Sequence, residues 1–423
     1  MFNIPLFIKT WIPTEDLKRL LLARGLRSLT QGYIFVVFAI YLSQIGFPAW
    51  LIGITLAIGS AASAILTLAT GILSDRIGRK PFLLAYSVLL AVSGAVFGMT
   101  SAPVVLILVS AMGGIGRSGG AGGQAGPFAP AETALLSDKT TIATRTRVFA
   151  ANNMFGTLMQ AVGAAFAGAP ELMGRLFGLP VIDAYRLIFW GVAIIGAVTF
   201  VILLPVTDTV NRGRADDRSS VAAAAARAER SRDSVSRIWK FSIAGFINGF
   251  GLGFVTGILS YWLYIRFRVS PESIGLVISA SLILASIFSL WMVRLAEQFG
   301  HVEVITASRL FGAVCTVLLG LSPIYPVAAI FVILRAAGAM SAMPVRQSYS
   351  MGVIDPSLRG AASGVSGVAR RIPAAVSPAI SGYWLGAGDL ELPFFAAAAF
   401  MVINAGLYFF WFRNIKPRDV PAE

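Results

Sequence analysis

Apolar residues in this chain come in long unbroken runs. A segment such as Leu187 to Val206 has neither the alternation of a half-buried strand nor the polar face of a soluble helix. About 20 apolar residues is the length an α-helix needs to cross a bilayer core, whereas a transmembrane barrel needs alternating strands of about ten residues. Reading the runs with their Gly, Pro and charged punctuation predicts spans near 28–45, 49–74, 81–100, 104–134, 147–168 and 185–206. A polar stretch follows, and then spans near 238–264, 272–294, 302–322, 326–352, 360–385 and 391–412. The expected fold is an all-α polytopic membrane protein of twelve helices. Residues 1–206 and 237–423 would form two six-helix bundles joined by a cytoplasmic linker, 207–236.

Composition sharpens this reading. The chain of 423 residues is 57% hydrophobic and only 13% charged, against about 25% charged in soluble domains. The net charge of +14 would suggest nucleic acid in a soluble protein, but here it reports topology. Of the 34 Lys and Arg, 24 fall in segments on the side of the N-terminus, six lie within spans, and only Arg175, Arg186, Arg266 and Arg268 fall on the other side. By the positive-inside rule both termini are cytoplasmic, in a plasma or bacterial inner membrane. Lys9, Lys18, Arg19, Arg24 and Arg27 read as a basic approach to the first span. The linker mixes both signs, and its alanine run predicts a short surface helix. No nucleic-acid partner is expected.

The two halves repeat. Leu73-Ser74-Asp75-Arg76-Ile77-Gly78-Arg79 after span 2 corresponds to Leu295-Ala296-Glu297-Gln298-Phe299-Gly300-His301 after span 8. Arg117, Pro127 and Asp138 recur as Arg335, Pro344 and Asp355. Pseudo-symmetric bundles follow.

Between spans 2 and 3 the sequence reads GILSDRIGRK, Gly71 to Lys80. Gly71 suits a close helix approach and Gly78 a tight reversal. Asp75 can accept from a helix N-terminus, while Arg76, Arg79 and Lys80 hold the inner surface. This segment resembles the G-x-L-x-D-R-x-G-R-K signature of the major facilitator superfamily at every defining position. The resemblance implies a transporter whose bundles rock around a midplane site, with Gly71, Asp75, Arg76, Gly78 and Arg79 as a conformational latch. Arg117-Ser118-Gly119-Gly120-Ala121-Gly122-Gly123 partly resembles a helix 4 pattern linked to proton coupling. Two family features are missing: Gly163 to Gly168 lacks the helix 5 proline of drug/proton antiporters, and no Asp or Glu lies between Asp16 and Asp75.

An ionisable group in hydrocarbon persists where it pairs or lines a cavity. Arg117, Arg309, Arg335, Arg346, Arg370 and Arg371 fall in spans, opposed only by Glu132. Arg370 follows Arg359 by eleven residues, about 16 Å of helix in a core of about 30 Å. Arg346 precedes Asp355 by nine residues, about 14 Å, so the two reach similar depth and suit one cationic pocket. Arg371 points about 100° away from Arg370. Arg309 lies close enough to the inner face to snorkel. A guanidinium cluster suits carboxylate, phosphate or sulfate groups, and an anionic solute is the sharp expectation. The alternative is pairing within the protein.

Glu132 reads either as a salt-bridge partner or as a proton carrier. Gln31, Tyr33, Asn152, Asn153, Gln160, Asn248 and Gln347 complete a candidate solute wall, each equally able to link helices. Cys315 is the single cysteine and His301 the single histidine, and no catalytic or metal-ligand constellation is present. The glycine-rich 113–126 follows no strand and lacks a G-K-[ST] ending, so it is no nucleotide loop. No enzyme activity and no cofactor are expected. The expectation is thus a monomeric secondary transporter of a small organic anion, with protons as a candidate coupling ion. Its rivals are a proton-linked exporter of amphiphiles and a non-transporting receptor or scaffold.

Overall fold

A computed structural model describes residues 14–112, 127–140, 142–208, 221–339, 341–354 and 359–415. Among them the protein is helical, and each of the twelve expected spans corresponds to a helix or a pair of helices. The first half contains α1 (Glu15–Gln44), α2 (Ala49–Ile77), α3 (Lys80–Met99), α4 (Pro103–Ala111), α5 (Phe128–Asp138), α6 (Ile142–Ala165), α7 (Ala169–Phe177) and α8 (Val181–Leu203). The second half contains α9 (Val221–Thr256), α10 (Leu259–Phe267), α11 (Pro271–Phe299), α12 (His301–Gly320), α13 (Tyr325–Ala339), α14 (Met343–Gly352), α15 (Arg359–Ala387) and α16 (Leu392–Phe412). Nine helical stretches among the described residues are long and apolar enough to cross a membrane.

Several boundaries differ from the sequence reading, each for a physical reason. The helix of span 1 begins at Glu15, where the Thr14 side chain caps it by accepting from the Leu17 N–H. The alanine run of the linker is continuous with span 7 in α9, because no Gly or Pro interrupts 221–244. Span 10 is broken between α13 and α14, where Pro344 occupies the first turn of α14. Span 11, expected to distort at Pro373 and Pro378, remains one helix, and the Ser377 hydroxyl donates to the Pro373 carbonyl at 2.5 Å. The repeat is visible in the backbone: Gly78 and Gly300 both close a long helix with positive φ, 108° and 98°. That conformation favours glycine at both positions.

Two compact units emerge. The first holds residues 1–210 together with 256–283 and 378–390, so α10, the start of α11 and the end of α15 belong to it. Its helices pack through small residues. A Cβ on Gly32 would overlap the Gln160 carbonyl, and one on Gly163 the Leu29 carbonyl, so α1 and α6 approach at backbone distance. At the end opposite the Gly71–Lys80 loop, α2 meets α15 the same way: Gly53 and Gly382 face each other, with a Cβ on either falling 2.8–2.9 Å from the other's Cα. Around them the Gln44 amide donates to the Tyr264 hydroxyl at 2.5 Å, the Ser260 hydroxyl to the Phe35 carbonyl at 3.3 Å, and the Trp262 indole to the Leu390 carbonyl at 2.8 Å.

Glu171 lies at this same end, on α7. Burial raises its carboxyl above the ordinary value of 4.5, Arg175 opposes that shift, and the like charge of Glu272 adds to it. A carboxyl raised by folding contributes stability that is complete below its ordinary value and is lost as pH rises through the folded value. The unfolding temperature therefore declines over that interval, and Glu171→Gln will flatten the decline. An unchanged profile in the variant would assign it to another group.

The second unit holds 211–255, 284–377 and 391–423. Its core gathers Phe241, Val302, Ile305, Val345, Tyr349, Tyr408 and Phe412, with Phe241 stacked on Phe412 at 4.2 Å between ring centroids. A row of glycines on α9 lets α15 approach: Gly249 abuts the Arg370 carbonyl and Gly253 the Ser377 side chain.

Candidate solute-binding site

The two units treat their buried arginines differently. In the first, Arg24 and Arg27 of α1 are 1% and 3% exposed and converge on Glu132 of α5. An Arg24 Nη donates to Glu132 Oε1 at 3.4 Å, an Arg27 Nη donates to Oε2, and the Asn152 amide of α6 donates to Oε1 at 3.0 Å. The Arg27 guanidinium also lies 4.2 Å from the Phe128 ring centroid, a cation–π arrangement. Gly156 leaves the space that the Arg24 side chain fills. Arg24 and Arg27 are thus interior residues, and their reading as part of a basic surface approach is corrected. The signal was available: a lone intramembrane carboxylate requires a cation, and Leu17, Leu20 and Ala23 continue the apolar face of α1 past both arginines.

In the second unit, Arg309 of α12 is 5% exposed and Arg335 of α13 is 8% exposed. Arg346 of α14 and Arg370 and Arg371 of α15 are half-buried. The guanidinium of Arg370 is within electrostatic reach of Arg346, Arg371 and Arg309, and Arg309 is within reach of Arg346. The Tyr408 side chain is close enough to act on both Arg309 and Arg370. None of these five arginines has a carboxylate within salt-bridge distance among the described residues. Arg309, expected to snorkel, is instead buried in the bundle. Arg370 and Arg346 lie within electrostatic reach of each other. Arg371 joins only its neighbour Arg370. Arg335 has its Nε buried without a hydrogen-bond partner among the described residues.

The other expected wall residues scatter. Tyr33 is 3% exposed with its hydroxyl unpartnered, and Gln160 is 5% exposed with Oε1 unpartnered. Asn248 of α9 is 1% exposed, and neither amide atom has a partner among the described residues. Asn152 is engaged by Glu132. Gln31 is half-buried and Gln347 exposed. Asn153 accepts a bond from Thr157 through its carbonyl. Arg117 and its glycine-rich surroundings lie outside the described residues.

At the motif loop, the carboxylate found on the N-terminus of α3 is that of Asp208. It accepts from the backbone N–H groups of Arg79 and Lys80 at 2.6 and 2.9 Å, an arrangement that suits the positive end of a helix dipole. Arg79 donates to Asp138 and to the Ala134 carbonyl, tying the loop to α5. Gly71 has open space where a Cβ would stand, so the expected close helix approach does not occur there: that side of α2 is exposed. Asp75 and Arg76 belong to α2, and their side chains lie outside the described set. Lys139, Asp16 and Thr207 form a further bonded trio, with Lys139 Nζ 2.5 Å from Asp16 and the Thr207 hydroxyl 2.7 Å from it.

The comparisons with known proteins agree with this architecture. The chain is similar to the uncharacterized membrane protein YJR124C of Saccharomyces cerevisiae, 23% identical over 435 residues, with 95% of each chain covered. Among solved structures it resembles a bacterial homologue of the human lysosomal transporter Spinster in an inward-facing, occupied conformation. That likeness has a TM-score of 0.75 at 17% identity and covers 96% of this chain and 98% of the other. It also resembles the nucleoside transporter NupG, with a TM-score of 0.71 at 14% identity and coverage of 94% and 100%. Each half of the sequence, residues 20–241 and 241–423, matches the profile of one family, and with the repeated helices and the GILSDRIGRK loop this places the chain in the Major Facilitator Superfamily.

Proposed function

We propose that this protein is a secondary active transporter moving a small organic anion by alternating access. The observation that carries the reading is the contrast between the two units. One carboxylate, Glu132, is shared by Arg24 and Arg27, whereas Arg309, Arg346 and Arg370, within electrostatic reach of one another, have no carboxylate partner among the described residues. Holding like charges together at mid-depth is costly, and an arriving anion relieves the cost. The guanidinium fork gives that anion paired hydrogen bonds. Glu132 acts as a structural counter-ion in this reading, which leaves proton coupling to be carried by another group. The Gly71–Lys80 loop, anchored through Arg79 to Asp138, serves as the latch. Membership of the superfamily supports transport over catalysis and over a scaffold role. The solved relatives differ in cargo, so the solute class rests on the arginines.

Export of an amphiphile is a second reading, favoured by an apolar cavity of about 720 Å3 lined by Leu284, Phe288, Met292, Ser308, Phe311 and Leu334. A thermal-shift screen with organic anions and lipophilic cations separates the two, since a ligand that prefers the folded state raises the unfolding temperature. Anions will stabilise the wild type, and Arg370→Ala will abolish that response and the anion flux into proteoliposomes. Stabilisation by lipophilic cations alone, unchanged in Arg370→Ala, would overturn the anion reading in favour of the amphiphile.

A further inference from the structure

The apolar cavity of the second unit is a groove with a buried floor and an exposed lip. One wall is a single stripe of α11, formed by Leu284, Phe288, Met292, Leu295 and Phe299 at spacings of three and four residues. The other walls come from the first half of α12 and the end of α13. Val304, Ser308 and Ala337 are buried, whereas Phe288, Phe299, Phe311 and Leu334 are exposed. Gly338 sets the depth on the α13 side, because a Cβ there would overlap the Phe311 ring. The α11 stripe is about 22 Å long at 1.5 Å per residue, in a hydrocarbon core of about 30 Å. Phe288, Phe311 and Leu334 lie within stretches apolar enough to cross a membrane, so the bilayer itself reaches the lip.

The lining decides what can fill the groove. Only Glu303 and Ser308 among its residues carry polar side chains, and the Ser308 hydroxyl already donates to the Ile305 carbonyl at 2.9 Å. An occupant at hydrocarbon depth therefore finds nothing to satisfy a polar group, which disfavours an extended peptide and suits an alkyl chain. Glu303 stands in the first turn of α12, at the Phe299 end of the groove, and its carboxylate folds back over Gly300, which has no side chain to obstruct it. No cation lies within salt-bridge distance of it among the described residues. The groove thus presents hydrocarbon along its length and one negative charge at its end. Leu290 and Trp291, on other faces of the same half of α11, are exposed as well, so an occupant supplies packing that this half-helix otherwise lacks.

We infer that the groove between α11, α12 and α13 seats an acyl chain of a bilayer lipid, and that Glu303 selects headgroups ending in a primary ammonium. None of the five arginines of the second unit lines it, so the inference does not depend on which solute is carried.

The test is the unfolding temperature of the full-length protein in detergent, titrated with dioleoyl-phosphatidylethanolamine or dioleoyl-phosphatidylcholine. The two lipids share their chains and their charges, and only ethanolamine has N–H groups to donate to a carboxylate. Phosphatidylethanolamine will reach half of its effect at a mole fraction about threefold to fivefold below that of phosphatidylcholine, the ratio expected of an exposed ion pair. Glu303→Gln will bring the two midpoints together by weakening phosphatidylethanolamine alone. Ala307→Trp, which places a large ring in the groove from an exposed position on α12, will remove stabilisation by both lipids, and Leu334→Trp will do the same from α13. Leu310→Trp, exposed on α12 outside the lining, will not. Each variant's unfolding temperature without added lipid reports its folding, and the two groove-filling variants are independent of each other.

Lipid stabilisation that survives in both groove-filling variants would overturn the site. Equal midpoints in the wild type, or a ratio that Glu303→Gln leaves intact, would overturn the selection by Glu303. Neither result bears on the anion reading, which rests on residues outside the groove.

Discussion

A Glu132→Gln variant will be less stable than the wild type by about 3–5 kcal/mol, the usual cost of removing one member of a buried ion pair. Arg24 and Arg27 are almost completely enclosed by α1, α5 and α6, and glutamine keeps the shape of the side chain while removing the charge that both face. Arg27→Gln will cost less, because Glu132 keeps Arg24 and the Asn152 amide. The two losses differ because the carboxylate is the shared member. Replacing all three charges together, Arg24→Met with Arg27→Met and Glu132→Leu, will recover much of the stability, since a buried ionic group is often matched by well-packed apolar residues. The measurement is the unfolding temperature in detergent. A Glu132→Gln protein as stable as wild type would remove Glu132 from its counter-ion role. The triple variant also separates structure from coupling: if it is stable and its flux keeps the wild-type pH dependence, Glu132 is not the proton carrier.

That triad shows where sequence reading reached and where it stopped. The twelve spans were legible because each is a local property of an apolar run and its breakers. The repeat was legible too, and Gly78 and Gly300 bear it out as matching positive-φ positions. The start of the first helix was not, because charge served as the marker of the membrane boundary. Arg24 and Arg27 look like an aqueous flank until their partner, more than a hundred residues away, is known. Arg309 misled for the same reason: a helix position gives depth but not the direction of the side chain, and Arg309 is buried instead of reaching the interface. Arg346 and Arg370 lie within electrostatic reach of each other, which their similar depth allowed but did not by itself determine. Asn152 was legible as a buried amide but not as a ligand of Glu132, and Asp208 lay beyond the last residue of the sixth predicted span, where nothing local linked it to the N-terminus of α3.

The second large effect is expected at Gly53. A side chain there meets backbone of α15, the Pro378 carbonyl and the Gly382 Cα, so no rotamer change can relieve it and the two helices must separate. Overpacking of this kind costs about 1–3 kcal/mol. When the cost falls on only one of two conformations, it shifts their ratio by about 5- to 150-fold. Gly53 and Gly382 lie among the bonds that close the end of the first unit opposite the motif loop, Gln44 to Tyr264, Ser260 to Phe35 and Trp262 to Leu390. In the proposed cycle that end must open and close on every turn. Gly53→Val will therefore favour the open end and slow transport without unfolding the protein. A Tyr264→Cys reporter gives the readout, because the only native cysteine, Cys315, is buried at 2% exposure and stays silent. Labelling of Tyr264→Cys by a membrane-impermeant maleimide will be faster in the Gly53→Val background. Gly163→Val is the informative contrast. It forces the same kind of overlap, against the Leu29 carbonyl, but between α1 and α6 within the first six-helix half. It will lower the unfolding temperature and leave the labelling rate of folded protein unchanged. Unchanged labelling and full flux in Gly53→Val would mean that the Gly53–Gly382 approach is ordinary packing, and that the closing end of the transporter lies elsewhere.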